Sequence, residues 1–313
     1  MISLIQLEYV VAVDTHRHFA KAAEKCFVSQ PTLSMQLKKM EEELGIILFD
    51  RSKQPVIPTE AGKVIIEQAR LVLQEAKKIK LLADETKDTI SGELRVGIIP
   101  TIAPYLLPRF AGDFKKKFPH IHVIVEEIVT DRIEDKLQKD LLDVGILVTP
   151  LHNHSIIEHP LYYEEMMVYS NATHPLVSKP VIKIKDIATP EMWLLSDGHC
   201  FRHQVVNLCD LHDLQSDKLP FEFEGGSLDT LMKIINQEGG YTLIPELAAL
   251  DVPQKRIHQV RHFSKICPLR EVSLVYTRRF AKTRMIKLLA ESIVQSVPKH
   301  LTDKKRGVLV EWR

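Results

Sequence analysis

From residue 92 onwards, short apolar runs alternate with amphipathic segments, and this alternation constrains the fold more than any other feature of the chain. The segments "ELRVGII", "HVIVEEIV" and "DVGILV" are typical of buried strands, and "PYLLPRFAGDFKKKF" and "DRIEDKLQKDLL" between them have helical periodicity. A second group follows, with "MMVYS", "WLLSD", "FEFEG" and "YTLIP" as strands and with helices after Cys200 and in "SLDTLMKIINQEG". This order predicts an α/β fold with a parallel sheet and crossover helices.

The last strand and helix of the chain divide this region into two lobes. We expect "REVSLVYTRRF" and "TRMIKLLAESIVQSV" to return to the first group of strands. The predicted regulatory region, 91–300, therefore has one subdomain made of 91–163 and 268–300 and a second made of 164–267. The charged segment 301–313 is expected to be a solvated tail. A chain of 313 residues with 45% hydrophobic residues is long enough for several such cores.

Residues 1–60 have the pattern of a winged helix-turn-helix. In "VSQPTLSMQLKKMEEELG", Ser29 is a candidate helix cap and Gly45 a candidate helix stop. The second helix would bury one apolar stripe and expose small polar residues at its beginning, as a recognition helix does. The stripe consists of Leu33, Leu37 and Met40. The segment "LFDRSKQPVIPTEAG" then resembles a two-stranded wing, with Arg51 and Lys53 placed to meet phosphates.

Charge does not distinguish this reading from a generic helical bundle with a polar face. Residues 1–60 carry 7 Lys and Arg against 8 Asp and Glu, whereas a nucleic-acid-binding domain is usually basic. The pattern of residues alone carries the prediction of DNA binding.

The segment 61–90 is predicted to be a long linker helix. Its apolar residues recur at alternating steps of four and three, the spacing of a coiled-coil seam: Ile65, Ala69, Val72, Ala76, Ile79 and Ala83. An amphipathic helix that packs only on its own domain shows a similar stripe. A helix of this length beside a DNA-binding domain favours dimerisation.

Two of the four cysteines, Cys200 and Cys209, are separated by only eight residues in a segment with helical periodicity. In a helix their Cα atoms would lie about 13 Å apart, whereas a disulfide needs about 7 Å or less. Either the two thiols never bond, or bonding disrupts the helix. The start of the chain lacks a secretory leader and no run of 18 apolar residues occurs, so we expect a cytoplasmic protein without membrane association. In that compartment a disulfide is more often transient than structural.

The N-terminal motif resembles the DNA-binding domain of LysR-type transcriptional regulators. The resemblance rests on "AAEKCFVSQPTLSMQLKKMEEELGIILFDRS" followed by "TEAG". It implies a winged helix-turn-helix, a dimerising linker helix and a two-lobed, periplasmic-binding-protein-like α/β effector domain. It also implies binding to promoter DNA, contact with RNA polymerase and assembly into dimers and a homotetramer. The implied DNA-contacting residues are Gln30, Pro31, Thr32, Ser34, Lys38 and Arg51.

The segments "DGHC" and "FRHQVVNLC" resemble the peroxide-sensing members of that family, as does "VGIIPTIAPYLLP". This resemblance implies hydrogen peroxide as the effector, Cys200 as the peroxidatic cysteine and Cys209 as its resolving partner, with a cellular disulfide-reducing system resetting the switch. Positions around the reacting thiol match His199, Arg202, Thr101, Thr130 and Arg270. At one nearby position Glu222 replaces an expected histidine.

Elementary thiol chemistry is consistent with these roles. Only a thiolate attacks peroxide effectively, so the reacting cysteine needs positive neighbours or a helix N-terminus that lower its pKa. Cys200 would immediately precede a helix and is flanked by His199 and Arg202. The hydroxyls of Thr101 and Thr130 would orient the peroxide, although Thr101 is equally well placed to be a simple helix cap.

Three other interpretations stay open from the sequence. The chain could be a LysR-type regulator of a small anionic metabolite, a thiol peroxidase, or a protein in which Cys200 and Cys209 are unrelated core residues. The first and third leave the thiol pair without a role, and the second leaves the N-terminal domain without one. Cys26 and Cys267 are expected to be structural. Because there is no glycine-rich phosphate loop and no paired CxxC spacing, we predict no cofactor and no metal, and we do not expect an enzyme.

Overall fold

The computed structural model of the chain describes residues 1–85, 90–187, 191–209, 219–221, 223–264, 267–277 and 282–312, without the side chains of 77, 78 and 80–85. The chain divides into two compact units, Met1–Asp88 and Thr89–Arg313. Within the described residues, no helix combines the length and the apolar character needed to cross a membrane.

The first unit is a winged helix-turn-helix, as predicted. Its elements are α1 (Leu4–His16), α2 (Phe19–Lys25), α3 (Gln30–Leu44), β1 (Phe49–Asp50), β2 (Ile57–Pro58) and α4 (Glu60–Glu85). The Ser29 side chain caps α3 by accepting a hydrogen bond from the Thr32 N–H, and Gly45 ends the helix in the left-handed region at φ 69°. The predicted stripe of Leu33, Leu37 and Met40 is fully buried in the core of this unit.

Helix α4 divides the predicted seam between two faces. Ala69 is buried against the core of its own unit, together with Ile66 and Leu73. Val72 and Ile79 are 37% and 72% exposed. Ala69 of the predicted seam is therefore used for packing within the unit, whereas Val72 and Ile79 are exposed to solvent in the single chain. The side chain of Ala83 lies outside the described residues.

The second unit is built on one mixed sheet. Its strands are β3 (Gly92–Ile98), β4 (Ile121–Glu127), β5 (Val144–Thr149), β6 (Ile156–Ser170), β7 (Tyr241–Pro245), β8 (Val260–Arg261), β9 (Pro268–Thr277) and β10 (Val308–Leu309). The order is β4-β3-β5-β9-β6-β7, with β8 beside β6 and β10 beside β9. Strand β3 is parallel to β4 and β5, whereas β9 is antiparallel to both β5 and β6. The sheet is therefore not parallel throughout, because β9 returns to the first group of strands, as expected, but in the opposite direction.

The long strand β6 joins the two halves of the sheet. Its first part pairs with β9, and its last five residues pair with β7. The helices that cover the sheet are α5 (Ala103–Lys117), α6 (Thr130–Gln138), α7 (Cys200–Cys209), α8 (Leu228–Glu238), α9 (Glu246–Leu250) and α10 (Thr283–Ser296). The carboxyl ends of β3 and β4 come immediately before α5 and α6, which places the beginnings of these two helices at the same edge of the sheet.

Two predicted strands are absent. The segment "WLLSD" forms no strand, since only Met192 immediately before it makes an isolated bridge, with Tyr241, and the described part of "FEFEG" forms no strand either. After Trp193 the backbone pairs with Gly225 through the Ser196 N–H instead of following β7. The chain leaves the sheet here because it must reach the beginning of α7, a constraint that local periodicity does not contain.

The predicted solvated tail is also wrong. Residues after 300 dock on the second unit, where β10 pairs with β9 and Leu301 and Trp312 are 0% and 7% exposed. The charges of "LTDKKRGVLVEWR" suggested exposure to solvent, but Leu301 and Trp312 in it are used for packing.

Candidate functional site

A left-handed turn places Cys200 at the beginning of α7. Gly198 adopts φ 88°, which residues with a side chain rarely adopt. The His199 carbonyl then accepts hydrogen bonds from the N–H groups of Arg202 and His203, at 3.0 and 3.4 Å, so that the first turn of α7 closes immediately after this loop. Cys200 is only 3% exposed and reaches the surface through a narrow cleft.

The walls of this cleft come from three elements that are far apart in sequence. They are the loop after β3, the beginning of α6, and the loop before α7 with the first residue of that helix. The lining residues are Ile99, Pro100, Thr101, Val129, Thr130, Gly198, His199 and Cys200. Thr101 and Thr130 are 1% and 2% exposed. The structure therefore brings together four of the predicted site residues, Thr101, Thr130, His199 and Cys200, around one thiol.

Arg270 lies behind the cleft in a completely buried network. Its Nε atom donates to Glu164 Oε1 at 2.8 Å, and its Nη1 and Nη2 atoms donate to the hydroxyl and the carbonyl of Thr101 at 3.1 and 3.0 Å. The guanidinium carbon lies 5.1 Å from the centre of the Phe201 ring. Thr101 is thus held as an acceptor for Arg270, and it is not the cap of α5, which begins at Ala103.

Burial raises the pKa of the Cys200 thiol above its usual value in this conformation, against the opposing effects of its neighbours. The positive charge of Arg270, the Thr130 hydroxyl and the N–H groups of Phe201 and Cys200 all lower that pKa. The Arg270 charge is shared with Glu164, which reduces the field that it contributes at the sulfur. The expectation of a lowered pKa is therefore not met in this buried, reduced state.

The Thr130 hydroxyl is placed to donate a hydrogen bond to a negatively charged group at Cys200. Its oxygen is buried and has no hydrogen-bond partner among the described residues, although it would donate to the thiolate form of Cys200. An unpaired buried hydroxyl has an energetic cost, and this cost disappears when a thiolate or a peroxide oxygen accepts its proton.

Arg202 and His199 contribute differently from the sequence-based expectation. Arg202 Nε pairs with Asp197 at 2.7 Å, and its Nη1 atom donates to the Leu195 carbonyl, so Arg202 faces away from the cleft lining. Burial lowers the pKa of His199, which favours its neutral form. The His199 ring packs directly on Gly226, where a Cβ atom would approach the ring to 2.5 Å.

Cys209 lies at the other end of α7. Nine residues of helix rotate it by about 180° from Cys200 and separate the two Cα atoms by about 13 Å. It is 3% exposed, and burial raises its pKa to about 12. Both cysteines are free thiols, as are Cys26 and Cys267, whose pKa values are also raised by burial.

The predicted DNA-contacting residues lie mainly on one end of α3. Gln30, Pro31 and Lys38 are exposed, and Thr32 and Ser34 are half-buried. Arg51 in the wing is held locally, because its Nη2 atom bonds to Glu41 at 2.6 Å and its guanidinium lies 5.2 Å from the centre of the Phe19 ring.

Sequence reasoning missed two residues that support the thiol site. Glu164 is fully buried and orients Arg270, and Gly226 leaves the space that His199 occupies. The pair of acidic residues within the apolar run "LYYEEMMVYS" was a usable signal for Glu164, because a buried carboxylate needs a cationic partner. No comparable signal pointed to Gly226. Glu222 lies outside the described residues.

Within the ranges that the structure describes, no three His, Cys, Asp or Glu side chains are grouped closely enough to hold a metal ion.

Comparisons with known proteins agree with both units of this architecture. Residues 4–63 match the family of bacterial regulatory helix-turn-helix proteins of the lysR family, and residues 87–298 match the LysR substrate binding domain. A hydrogen peroxide-inducible genes activator of Dickeya chrysanthemi is 36% identical over 298 residues, which is 94% of this chain and 96% of that protein.

Two further relatives cover nearly the full length. The DNA-binding transcriptional dual regulator OxyR of Escherichia coli (strain K12) is 36% identical over 289 residues, covering 92% of this chain and 93% of that protein. A solved structure of a full-length OxyR variant from Pseudomonas aeruginosa superposes with a TM-score of 0.78 at 34% identity, covering 95% of this chain and 99% of that one. With family matches in both units and relatives of this similarity, the chain belongs to the LysR family of bacterial regulatory proteins.

Proposed function

We propose that this chain is a transcriptional regulator that senses hydrogen peroxide through Cys200 and resolves the oxidised thiol with Cys209. The observation that carries the proposal is the placement of Cys200, which is enclosed by Thr101, Thr130 and His199 at the first turn of a helix that ends at Cys209. The relatives named above include a hydrogen peroxide-inducible activator and OxyR, which supports the same effector.

The size of the cleft favours peroxide over a metabolite. The cleft beside Cys200 is closed around the thiol and has no room for an organic metabolite in this conformation, whereas sites for small organic ligands usually measure about 300 Å³ or more. Hydrogen peroxide needs little volume and several hydrogen-bonding partners. The Thr130 hydroxyl, which is unpaired within the described residues, supplies one such partner.

The proposed chemistry has two steps. In the first, the Cys200 thiolate attacks one peroxide oxygen, an S–O bond forms as the O–O bond breaks, and the departing hydroxide takes a proton to become water. Cys200 is oxidised by two electrons to a sulfenic acid, and the peroxide is reduced. In the second, the Cys209 thiolate attacks the Cys200 sulfur, an S–S bond forms, the S–O bond breaks, and the departing hydroxide takes a proton to become water.

The second step couples the chemistry to a change of shape. Because the two Cα atoms lie about 13 Å apart on opposite faces of α7, the disulfide cannot form while the helix persists. The helix must unwind, and an element with two such states can transmit the signal. The proposed resetting step is thiol exchange with a cellular disulfide-reducing system.

We further propose that α3 and the wing bind promoter DNA. Gln30, Pro31, Thr32, Ser34 and Lys38 would face the DNA, and Arg51 would stiffen the wing or reach a phosphate after leaving Glu41. A regulator of this kind acts as a dimer or tetramer on paired half-sites, contacts RNA polymerase, has no enzymatic turnover of its own and works where the DNA lies, in the cytoplasm.

The test measures the thiols of the reduced full-length protein before and after one equivalent of hydrogen peroxide, by alkylation and peptide mass analysis. We expect the loss of two thiols and a peptide linkage between Cys200 and Cys209. Cys200→Ser should lose no thiols, and Cys209→Ser should stop at a sulfenic acid that a 1,3-dione probe traps.

Each contrary outcome indicates a different function or a different cysteine pair. An unchanged thiol count would overturn peroxide sensing and leave a regulator of a metabolite. Continuous consumption of peroxide with a thiol reductant at enzymatic rates would favour a thiol peroxidase. A disulfide that involves Cys26 or Cys267 would reject the proposed pair.

A further inference from the structure

The C-terminal segment 307–312 lies across the helix that carries both redox cysteines. The Val308 and Val310 N–H groups donate to the carbonyls of Cys267 and Leu269, at 2.9 and 2.8 Å, and thereby attach the segment to β9 immediately before Arg270. Gly307 permits this approach, because a Cβ atom there would lie 2.1 Å from the Cys267 carbonyl oxygen.

Charged side chains hold the beginning of this segment in place. Arg306, which precedes it, pairs with Glu246, and its Nη2 atom lies 4.0 Å from Glu165. Glu246 also accepts a hydrogen bond from the Glu165 N–H and faces His300. Because the beginning of the segment is fixed in this way, the position of its remaining residues depends on what the C-terminal end of the segment contacts.

The far end contacts one face of α7. Gln204 Nε2 donates to the Val310 carbonyl at 2.7 Å, and Asn207 Nδ2 donates to the Glu311 carbonyl at 3.1 Å. The Trp312 ring lies parallel to the His203 ring, with their centres 6.4 Å apart, and Trp312 is 7% exposed. Positions 203, 204 and 207 share one helical face, so all three contacts require α7 to be helical at the same time.

We propose that segment 307–312 is a latch that holds α7 in its helical, reduced form and is released when the disulfide forms. The inference rests on the proposed function. The latch connects the strand of Arg270 to the helix of Cys200 and Cys209, so it opposes the second step, in which α7 unwinds. It leaves the first step unaffected, because its described contacts on α7 are three or more residues beyond Cys200.

This mechanism assigns the latch a quantitative role. Each contact that is lost on unwinding slows disulfide formation relative to sulfenic acid formation, and the latch thereby sets how long the sulfenic acid persists before it is resolved. Release of the latch also exposes Trp312, and it frees the edge of β9 beside Arg270.

The experiment compares Asn207→Ala and Trp312→Ala with the wild-type full-length protein. After one equivalent of hydrogen peroxide, we expect disulfide formation to be about fivefold faster in each variant, as expected for the loss of one favourable contact, with an unchanged rate of sulfenic acid trapping. Alanine is a better helix former than asparagine, so helix propensity alone predicts slower unwinding for Asn207→Ala. The two explanations therefore predict opposite signs.

Glu311→Ala is the matched control, because the Glu311 side chain is exposed and the contact to Asn207 uses the Glu311 carbonyl. It should behave as wild type. Tryptophan fluorescence gives a second readout: oxidation should shift the wild-type emission to the red, and Trp312→Phe should remove that shift, since Trp193 is in the core.

Failure of the proposed function and failure of the latch give different results. If wild-type protein forms no disulfide between Cys200 and Cys209, the proposed function and the latch are both overturned. If the disulfide forms but Asn207→Ala and Trp312→Ala form it no faster than wild type, or if Trp312 stays buried after oxidation, the latch is overturned and the peroxide-sensing function stands.

Discussion

At the scale of single residues, Cys200 is governed by a competition between burial and its polar neighbours. Burial favours the neutral thiol, whereas Arg270, Thr130 and two backbone N–H groups favour the thiolate. Arg270 is already engaged with Glu164 and Thr101. The Thr130 hydroxyl, by contrast, is unpaired within the described residues, so its hydrogen bond is fully available to the reacting sulfur or to peroxide.

Replacing Thr130 with valine should slow sulfenic acid formation at Cys200 by about tenfold, because a hydrogen bond to a charged group is lost while the shape of the side chain is kept. Trapping with a 1,3-dione probe under limiting peroxide measures this rate. Thr230→Val is the matched control. Thr230 also lies in the first turn of a helix, α8, but its side chain is exposed, whereas Thr130 in the first turn of α6 is buried. Equal slowing in both variants would show that the Thr130 hydroxyl has no special role.

At the scale of elements, Asp143 connects the sheet to the beginning of α10. Its carboxylate, 2% exposed, accepts hydrogen bonds from the Arg95 N–H and guanidinium and from Lys282 Nζ, at 2.7, 2.9 and 2.8 Å. Arg95 lies on β3, Asp143 immediately before β5, and Lys282 immediately before α10. These hydrogen bonds to Arg95 and Lys282 hold the pKa of Asp143 below its usual value despite burial.

Asp143→Ala should lower the free energy of unfolding of the second unit by about 2 kcal/mol, since two cations lose their common partner. Urea unfolding followed by tryptophan fluorescence reads this unit selectively, because both tryptophans, Trp193 and Trp312, belong to it. Asp113→Ala, which removes an exposed pair with Lys116, should change the free energy by less than about 0.5 kcal/mol.

The pH dependence of the same interaction has a definite sign. The folded pKa of Asp143 is lowered, so its contribution is complete above the unfolded pKa of about 4 and is lost as the pH falls through the folded value. The difference between wild type and Asp143→Ala should therefore shrink in acid. A difference that is as large at about pH 3 as at pH 7 would contradict this assignment.

At the scale of the whole molecule, α4 presents an apolar surface that one chain does not cover. Val64, Val72 and Ile79 are 67%, 37% and 72% exposed, whereas Ile66, Ala69 and Leu73 pack inward. Spacings of eight and seven place the three exposed residues on one helical face. This arrangement supports the prediction that the linker helix pairs with a second copy.

Val72→Asp should convert a dimer into monomers and weaken binding to a two-half-site operator, because a charge would be buried in the seam. Sedimentation and DNA binding measure the two effects. Lys63→Gln changes the charge equally on the opposite side of α4 and should leave both unchanged. A Val72→Asp protein with the mass of wild type would remove the linker helix from the interface.

Much of the architecture could be predicted because it follows from local patterns. The cap at Ser29, the stop at Gly45 and the buried stripe of α3 depend only on neighbouring residues, and the structure confirms them. The alternation of strands and helices likewise predicted most elements of the second unit. The cysteine pair and its neighbours in "DGHC" were visible for the same reason, since their spacing is a property of the chain itself.

The sequence alone therefore determined most of the helices and strands, the family that the chain resembles and the spacing of Cys200 and Cys209 along one helical segment. Only the tertiary structure decided that β9 runs antiparallel to β5, that Arg202 turns to Asp197 while Arg270 lies behind Cys200, and that the C-terminal segment packs on α7. The physical reason is that periodicity and capping are set by residues a few positions apart. The pKa of a thiol and the docking of a tail depend on burial and on partners brought together from distant parts of the chain.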